Sequence, residues 1–415
     1  MRADVVVVGA GTAGLVAAAR LAEAGRRVVV VARGVGSTRL APGTIDVLGY
    51  APERVDRPGQ ALPGFLADHP EHPYARVGVD VLAEAIEWLR DHVTIYRYLG
   101  SLEENLLLPT AVGAAKPSAV VPETMAAGDL RDGGSFLLCG LRGFKDFFPA
   151  LAADNLRAGA KVEARAVELA LPTGGEADVG SLAFARRFGD ADFRQAVVSE
   201  VLAAVAGEEA VGFPAVLGLS RPAEVWSALE DALGRPVFEI PTVPPSVPGI
   251  RLLGALETAV RSAGGRLLVG SEVVGALTSG SRVDAVVVRT AARDVEYEAG
   301  SFVLATGGFL TGGIELGSDG QVRESVLGLP VGGLPEAGEP LFLPEYFAAH
   351  PLAAAGLSTD LGLRPVGPDG SVLYENLHAA GAVLAGAEPW REKSGEGISL
   401  GTGFRAAGEI LERDA

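Results

Sequence analysis

The chain has one cysteine, Cys139, in 415 residues. A lone thiol cannot close an internal disulfide, and it cannot hold an iron–sulfur cluster, which takes several thiolates. The matching expectation is a reducing compartment, the cytoplasm. Cys139 sits in a Leu-Leu-Cys-Gly strand end and reads as an inert core thiol. Histidine is also scarce, at five residues. With no HExxH, no CxxC and no carboxylate pair at ligand spacing, no metal site is expected. A GxSxG elbow is missing too. No apolar stretch approaches the roughly 18 residues that read as a membrane span. Nor does the start look like a leader, because its four valines run straight into Gly-Ala-Gly. Contact with the inner face of a membrane would have to come through partners. Positive charge is in deficit, with 35 Lys and Arg against 52 Asp and Glu and a net charge of −17. Such a surface repels nucleic acid and anionic lipid. An anionic small substrate would need an arginine pocket working against that field.

Apolar residues are plentiful, at 48% with a mean hydropathy of +0.29, and 415 residues are more than one core holds. Two domains are expected. The most informative stretch is Asp4 to Gly14, a run of four valines followed by Gly9, Gly11 and Gly14. An Ala-rich helix and a second valine run, Val28 to Val31, complete a βαβ unit. Gly9 permits the tight turn, Gly11 lets a phosphate reach the backbone, and Gly14 lets helix and strand pack closely. Thr12 and Ala13 open the helix, whose free N–H groups and dipole favour an anion. About twenty residues on, an acidic residue normally grips the adenosine ribose. Here Ala32 and Arg33 stand in that place. Arg33 could instead meet a 2′-phosphate, as in an NADP site, or be a solvated strand end. The missing carboxylate favours a phosphate ligand without adenosine, FMN, over FAD.

The C-terminal part points to a flavin independently. Phe302 to Gly308 reads as a strand entering a glycine turn with Thr306 and Gly307. Asn376 to Gly381 and Gly395 to Gly401 follow, then a helix expected from about Thr402 to Arg413. A glycine-rich helix start of this kind points its dipole at a flavin ring or its tail. The acidic residue that often follows is again absent, replaced by Ala382.

Between these ends the chain is α/β in character. Gly36 to Pro73 reads as loop, and Val79 to Leu99 as a helix with Leu82, Ile86, Leu89 and Val93 inward. Phe136 to Gly140 and Lys161 to Leu169 read as strands around a helix at Phe144 to Ala158. Asp178 to Leu233 is helix-rich. Arg251 to Ala263 reads as a helix, and Arg266 to Arg289 as a strand meander. The expected class is α/β: a Rossmann-like, two-dinucleotide-fold flavoprotein of the FAD/NAD(P)-binding type with an inserted α+β cap domain. Segments 1–45, 130–172, 245–315 and 370–415 are assigned to the flavin-binding domain. Segments 46–129, 173–244 and 316–369 are assigned to cap, substrate and partner regions.

Several strings match one family: Arg33-Gly34 with Ser37, Gly43 to Leu48, His72-Pro-Tyr74, Gly140 to Phe147, Pro241 to Leu252, Ala305 to Phe309, Val322 to Glu324 and Leu327 to Leu329. The chain resembles the B subunit of anaerobic glycerol-3-phosphate dehydrogenases nearly end to end, the middle, about 175–235, matching only in helical character. The resemblance implies an FMN flavoprotein working with a catalytic A subunit and a membrane-linked iron–sulfur subunit. It implies oxidation of sn-glycerol 3-phosphate, a small phosphorylated substrate, to dihydroxyacetone phosphate, with electrons passing to quinone. Three alternatives stay open: a stand-alone FAD-dependent dehydrogenase of the fumarate-reductase type, a non-catalytic subunit retaining the fold, and an NADP-binding reductase.

The expected cofactor residues are Gly9, Gly11, Thr12, Ala13, Gly14, Arg33, Gly34, Ser37, Thr44, Thr306, Gly307, Gly381, Gly397 and Ile398. Ser37 and Thr44 either bond a flavin or serve ordinary turns. The catalytic residue is left unassigned. Loss of hydride from a secondary alcohol needs a base, and the phosphate needs a cation. His72 is a candidate base, or a loop-packing histidine. Arg251 and Arg323 are candidate phosphate clamps, or partners in interdomain ion pairs. His378 reads as a satisfied core histidine. Asp46 could orient a neighbour.

Overall fold

The computed structural model describes every residue except 173–174, 208, 337, 346–347 and 414–415. Its largest sheet has five parallel strands. Strand β1, Val5–Val8, lies at the centre, between β2, Val28–Ala32, and Ser301–Leu304. Arg266–Val269 lies outside β2, and Leu377–Ala379 outside Ser301–Leu304. Val5 is level with Val28 on one side and Ser301 on the other. Unbroken valine runs suit such strands, which are buried on both faces. Helix α1, Thr12–Glu23, joins β1 to β2 and packs against the helices Val247–Ser262 and Gly395–Arg413. An antiparallel meander follows, Glu272–Ser279, Arg282–Arg289 and Asp294–Glu298. Its Val283, Val286, Val288 and Tyr297 enter the same core.

The helix expected over Val79 to Leu99 runs only from Val79 to His92, with Leu82, Ile86 and Leu89 buried as anticipated; Leu99 instead lies in the short strand Tyr98–Gly100. The last helix begins at Gly395, seven residues before the expected Thr402. Glycine argues locally against a helix there, but packing requires it. A Cβ on Gly397 would lie 2.3 Å from the Tyr74 hydroxyl, and one on Gly403 would lie 2.3 Å from the Ala13 carbonyl oxygen.

A second parallel sheet has its own core. Its order is Val237–Ile240, Ala210–Pro214, Ser135–Leu141, Glu163–Leu169. Helices Pro149–Gly159, Ala191–Ala204 and Pro222–Leu233 connect the strands. Phe136 meets Phe238 edge-on with ring centroids 5.4 Å apart, and Phe144 meets Phe184 at 5.8 Å. This corrects one expectation: the strands within 130–172 pair in this sheet, not in the one holding the glycine turn. The segments assigned to the cap also carry antiparallel hairpins, Tyr98–Gly100 with Val120–Pro122 and Leu106–Pro109 with Ala115–Ser118. The strand Ala210–Pro214 also lies inside the stretch expected to be helix-rich; five residues with a glycine and a proline carry little strand signal. The segments 1–45, 245–315 and 370–415 supply all five strands of the first sheet. The anticipated boundary at 173 falls on residues outside the described set.

One buried ion pair ties the two parts together. Arg251, on the helix that packs against α1, places its guanidinium 2.7 and 3.0 Å from the two carboxylate oxygens of Glu239 in the second sheet. Both side chains are fully buried.

Candidate cofactor site

The turn after β1 is shaped by what glycine leaves out. Gly9 has φ +114°, and a Cβ there would sit 2.1 Å from the Ala305 carbonyl oxygen. A Cβ on Gly14 would sit 2.1 Å from the Gly9 oxygen, and one on Gly36 would sit 2.4 Å from Gly11 Cα. The end of Ser301–Leu304, the start of α1 and the loop after β2 therefore converge on one point. The first-turn amides of α1 have no partner within the helix. That of Thr12 donates to Thr38 Oγ1 at 3.0 Å, which leaves the rest of the turn and the dipole for an anion.

A cavity of about 370 Å³ opens over this turn. It runs from Gly9 and Gly11 past the carboxyl end of β2 at Ala32 and Arg33, with Thr306 and Glu272 on its walls. Thr306 Oγ1 is buried and has no hydrogen-bond partner among the described residues, which suits a polar ligand group. Of the expected cofactor residues, Gly9, Gly11, Arg33, Gly34, Ser37, Thr306 and Gly307 line this cavity. Thr12, Ala13 and Gly14 lie directly behind it in the first turn of α1.

The other four lie around the start of the last helix. A Cβ on Gly381 would meet that of Ala13 at 2.9 Å, so this turn packs on the opening of α1. The Gly381 amide donates to Thr402 Oγ1 at 2.8 Å, and the Gly397 amide to the Asp46 carbonyl at 3.0 Å. Ile398 is buried behind them. Thr44 is buried in a polar knot. Its hydroxyl donates to Asp46 Oδ1 at 2.8 Å, and Lys116 Nζ reaches Thr44 Oγ1 at 3.0 Å and Asp46 Oδ2 at 2.6 Å. Glu396, in the first turn of the last helix, faces the same knot. Burial first, then the Asp46 charge, pushes its carboxyl up to about 7, with Lys116 partly opposing. Burial, then the charge on Lys116, lowers the affinity of Lys393 for its proton. The loop 36–46 thus begins on the glycine turn and ends at this knot.

The proposed catalytic candidates lie elsewhere. Arg251 is not open to a phosphate: besides Glu239, its Nε donates to the Gly218 carbonyl at 2.9 Å. Arg323 is exposed on a small hairpin, paired with Asp319, and does not line the cavity. His72 is buried, accepting the Tyr74 amide on Nδ1 at 3.2 Å while Nε2 lies 3.2 Å from Glu392. It braces the approach to the last helix. His378 is a core histidine but only half satisfied: Nδ1 lies 2.8 Å from the Gly362 oxygen, buried Nε2 has no hydrogen-bond partner among the described residues, and burial lowers its pKa to about 4.

Sequence reasoning missed Glu272, Lys116 and Glu396. Glu272 and Lys116 belong to other strands, so no spacing rule along one segment finds them. Glu396 did carry a signal, an acidic residue in the first turn of a glycine-rich helix start. Among the described residues, no three His, Cys, Asp or Glu side chains gather as a metal set. No helix there is long and apolar enough to cross a membrane.

A family model described as the FAD binding domain matches residues 4–398. A protein of Halobacterium salinarum named as the probable B subunit of an anaerobic glycerol-3-phosphate dehydrogenase is 36% identical, over 99% of this chain and 98% of that one. The B subunit of the anaerobic glycerol-3-phosphate dehydrogenase of Pectobacterium carotovorum is 34% identical, over 99% of both. Its counterpart in Yersinia pseudotuberculosis is 31% identical, over 100% and 99%. Among solved structures, a 3-ketosteroid delta1-dehydrogenase from Sterolibacterium denitrificans aligns with a TM-score of 0.48 at 13% identity, over 99% of this chain and all of that one. The expectation of FMN finds no support: the matching model is that of an FAD-binding family, and the cavity continues past the end of β2. The chain belongs to the FAD binding domain family and, within it, to the B subunits of anaerobic glycerol-3-phosphate dehydrogenases, a family of flavin-dependent dehydrogenase subunits.

Proposed function

We propose that this chain is the FAD-carrying subunit of a complex that oxidises sn-glycerol 3-phosphate to dihydroxyacetone phosphate. A catalytic A subunit and a membrane-linked iron–sulfur subunit are its partners, and the electrons leave for quinone. The observation that carries the reading is the cavity, which begins on an anion-binding glycine turn and extends beyond the end of β2. Its walls suit a dinucleotide: glycines where a phosphate meets backbone, and the unpartnered Thr306 hydroxyl. Bound FAD would supply the two-electron acceptor for the hydride of the carbinol. The opening of α1 would hold the pyrophosphate through its amides and dipole. The loop 36–46 leads from that turn to the start of the last helix, whose first-turn residues would face the reacting end. There Glu396, poised to titrate near pH 7, takes or returns the proton that accompanies two-electron transfer. Lys116 and Lys393 supply positive charge for an anionic substrate in a chain of net charge −17. With a single, deeply buried cysteine, the chain has no ligands for a cluster of its own, so electrons pass on to a partner.

The test is reconstitution. The chain co-expressed with its partner subunits should reduce an artificial acceptor when given sn-glycerol 3-phosphate, and the activity should disappear when this chain's flavin is removed. A complex equally active without this chain, or with it stripped of flavin, contradicts the reading.

A further inference from the structure

The carboxylate missing from the end of β2 is present in space. We propose that Glu272 binds the adenosine ribose hydroxyls of the cofactor, doing from the neighbouring strand what an acidic residue at the end of β2 does elsewhere. The assignment rests on the FAD reading above.

The backbone fixes where Glu272 stands. Val269, the last residue of its strand, is level with Ala32 in the parallel register. The chain then turns at Gly270, with φ +85°. The amides of Gly270 and Ser271 both donate to the Ala32 carbonyl, at 2.9 and 3.1 Å. That double bond to a single carbonyl pins the next residue beside the carboxyl end of β2, on the wall of the cavity. The side chain is 39% exposed, so ligand groups can reach it.

Its neighbours leave it capacity. Arg289 Nη1 lies 3.3 Å from one carboxylate oxygen, and Arg33 Nη1 lies 3.7 Å from the other. An ionised carboxylate offers about four lone-pair sites, enough for both arginines and two hydroxyls. Vicinal ribose hydroxyls are donors and match it. A 2′-phosphate matches it less well: it brings no hydroxyl pair to donate, and Glu272 already engages Arg33, the residue on which the NADP reading rested. The chemistry selected is a 2′-unphosphorylated adenosine dinucleotide. FMN carries no group that reaches this end of the cavity.

The test is equilibrium binding of FAD and of FMN to the flavin-stripped chain, read by flavin fluorescence, with thermal unfolding as a check. E272A should lose FAD affinity by roughly ten- to hundredfold, the effect of deleting a charged hydrogen-bond partner, and keep its FMN affinity. E272Q, which retains the shape but not the charge, should lose less. R289A, which removes the nearer of the two arginines but spares the carboxylate, should stay within about twofold of wild type for FAD. An E272A chain that binds FAD as tightly as wild type overturns the assignment. So does an R289A loss as large as that of E272A, because the pair would then matter only for structure. A wild-type chain that holds FMN as tightly as FAD overturns the cofactor reading itself, and the assignment with it.

Discussion

Glu396 is an acid in a place that discourages its charge, and that has a consequence for stability independent of catalysis. Folding raises its pKa from 4.5 to about 7, burial being the first cause and the Asp46 charge the second. The folded form therefore keeps the proton in a window where the unfolded chain has lost it. Stability should fall as pH rises from about 4.5 to about 7 and then level off, by up to about 3 kcal/mol. Glu396→Gln should flatten that slope, as urea unfolding at pH 5 and pH 8 would show; an unchanged slope contradicts the assignment. In the reconstituted complex the same variant should lose the limb of the kcat/KM profile that titrates near pH 7. At this scale the glycines of the turn were legible in the sequence, because three spaced residues in one short segment do the work. Glu272 and Lys116 were not, because their partners come from distant segments that only the folded sheet brings alongside.

Elements show the same divide between local and tertiary causes. Gly254 lies on an exposed helix face with nothing within 4 Å of a Cβ, whereas a Cβ on Gly403 would strike the Ala13 carbonyl at 2.3 Å. Intrinsic propensity favours alanine over glycine at both by about 1 kcal/mol. Gly254→Ala should therefore stabilise by up to that amount. Gly403→Ala should destabilise by about 1–3 kcal/mol, because a backbone carbonyl cannot step aside and the last helix must shift off α1. Thermal unfolding of both variants checks the opposite signs. Gly36→Ala should push its loop off Gly11 and weaken flavin binding, measured by flavin release during purification. The βαβ unit and the helix Val79–His92 were readable because their periodicity and their packing agree. The start of the last helix was not, since its glycines oppose a helix locally and are required by Tyr74 and Ala13 across the interface. The strands Ala210–Pro214 and Val237–Ile240 were too short to stand out from the helices around them.

Among the described residues the two large cores each surround a parallel sheet, and the Arg251–Glu239 pair helps to join them. Removing one partner leaves the other buried and charged. Arg251→Met should cost about 3–5 kcal/mol, and adding Glu239→Gln should recover part of it, both read by chemical denaturation. The fold class was legible because both ends of the chain carry glycine turns of one architecture. The membership of 130–172 was not, since a buried strand does not say which sheet it joins. Charge, too, acts at this scale, for a surface of net charge −17 leaves anion binding to local devices such as the opening of α1. All of this meets at the turn after β1, where the proposal seats a phosphate with an adenosine beyond it. Mass analysis of the chromophore released from the purified native protein tests that most directly. The account predicts the mass of FAD; the mass of FMN, or a colourless protein, would contradict it.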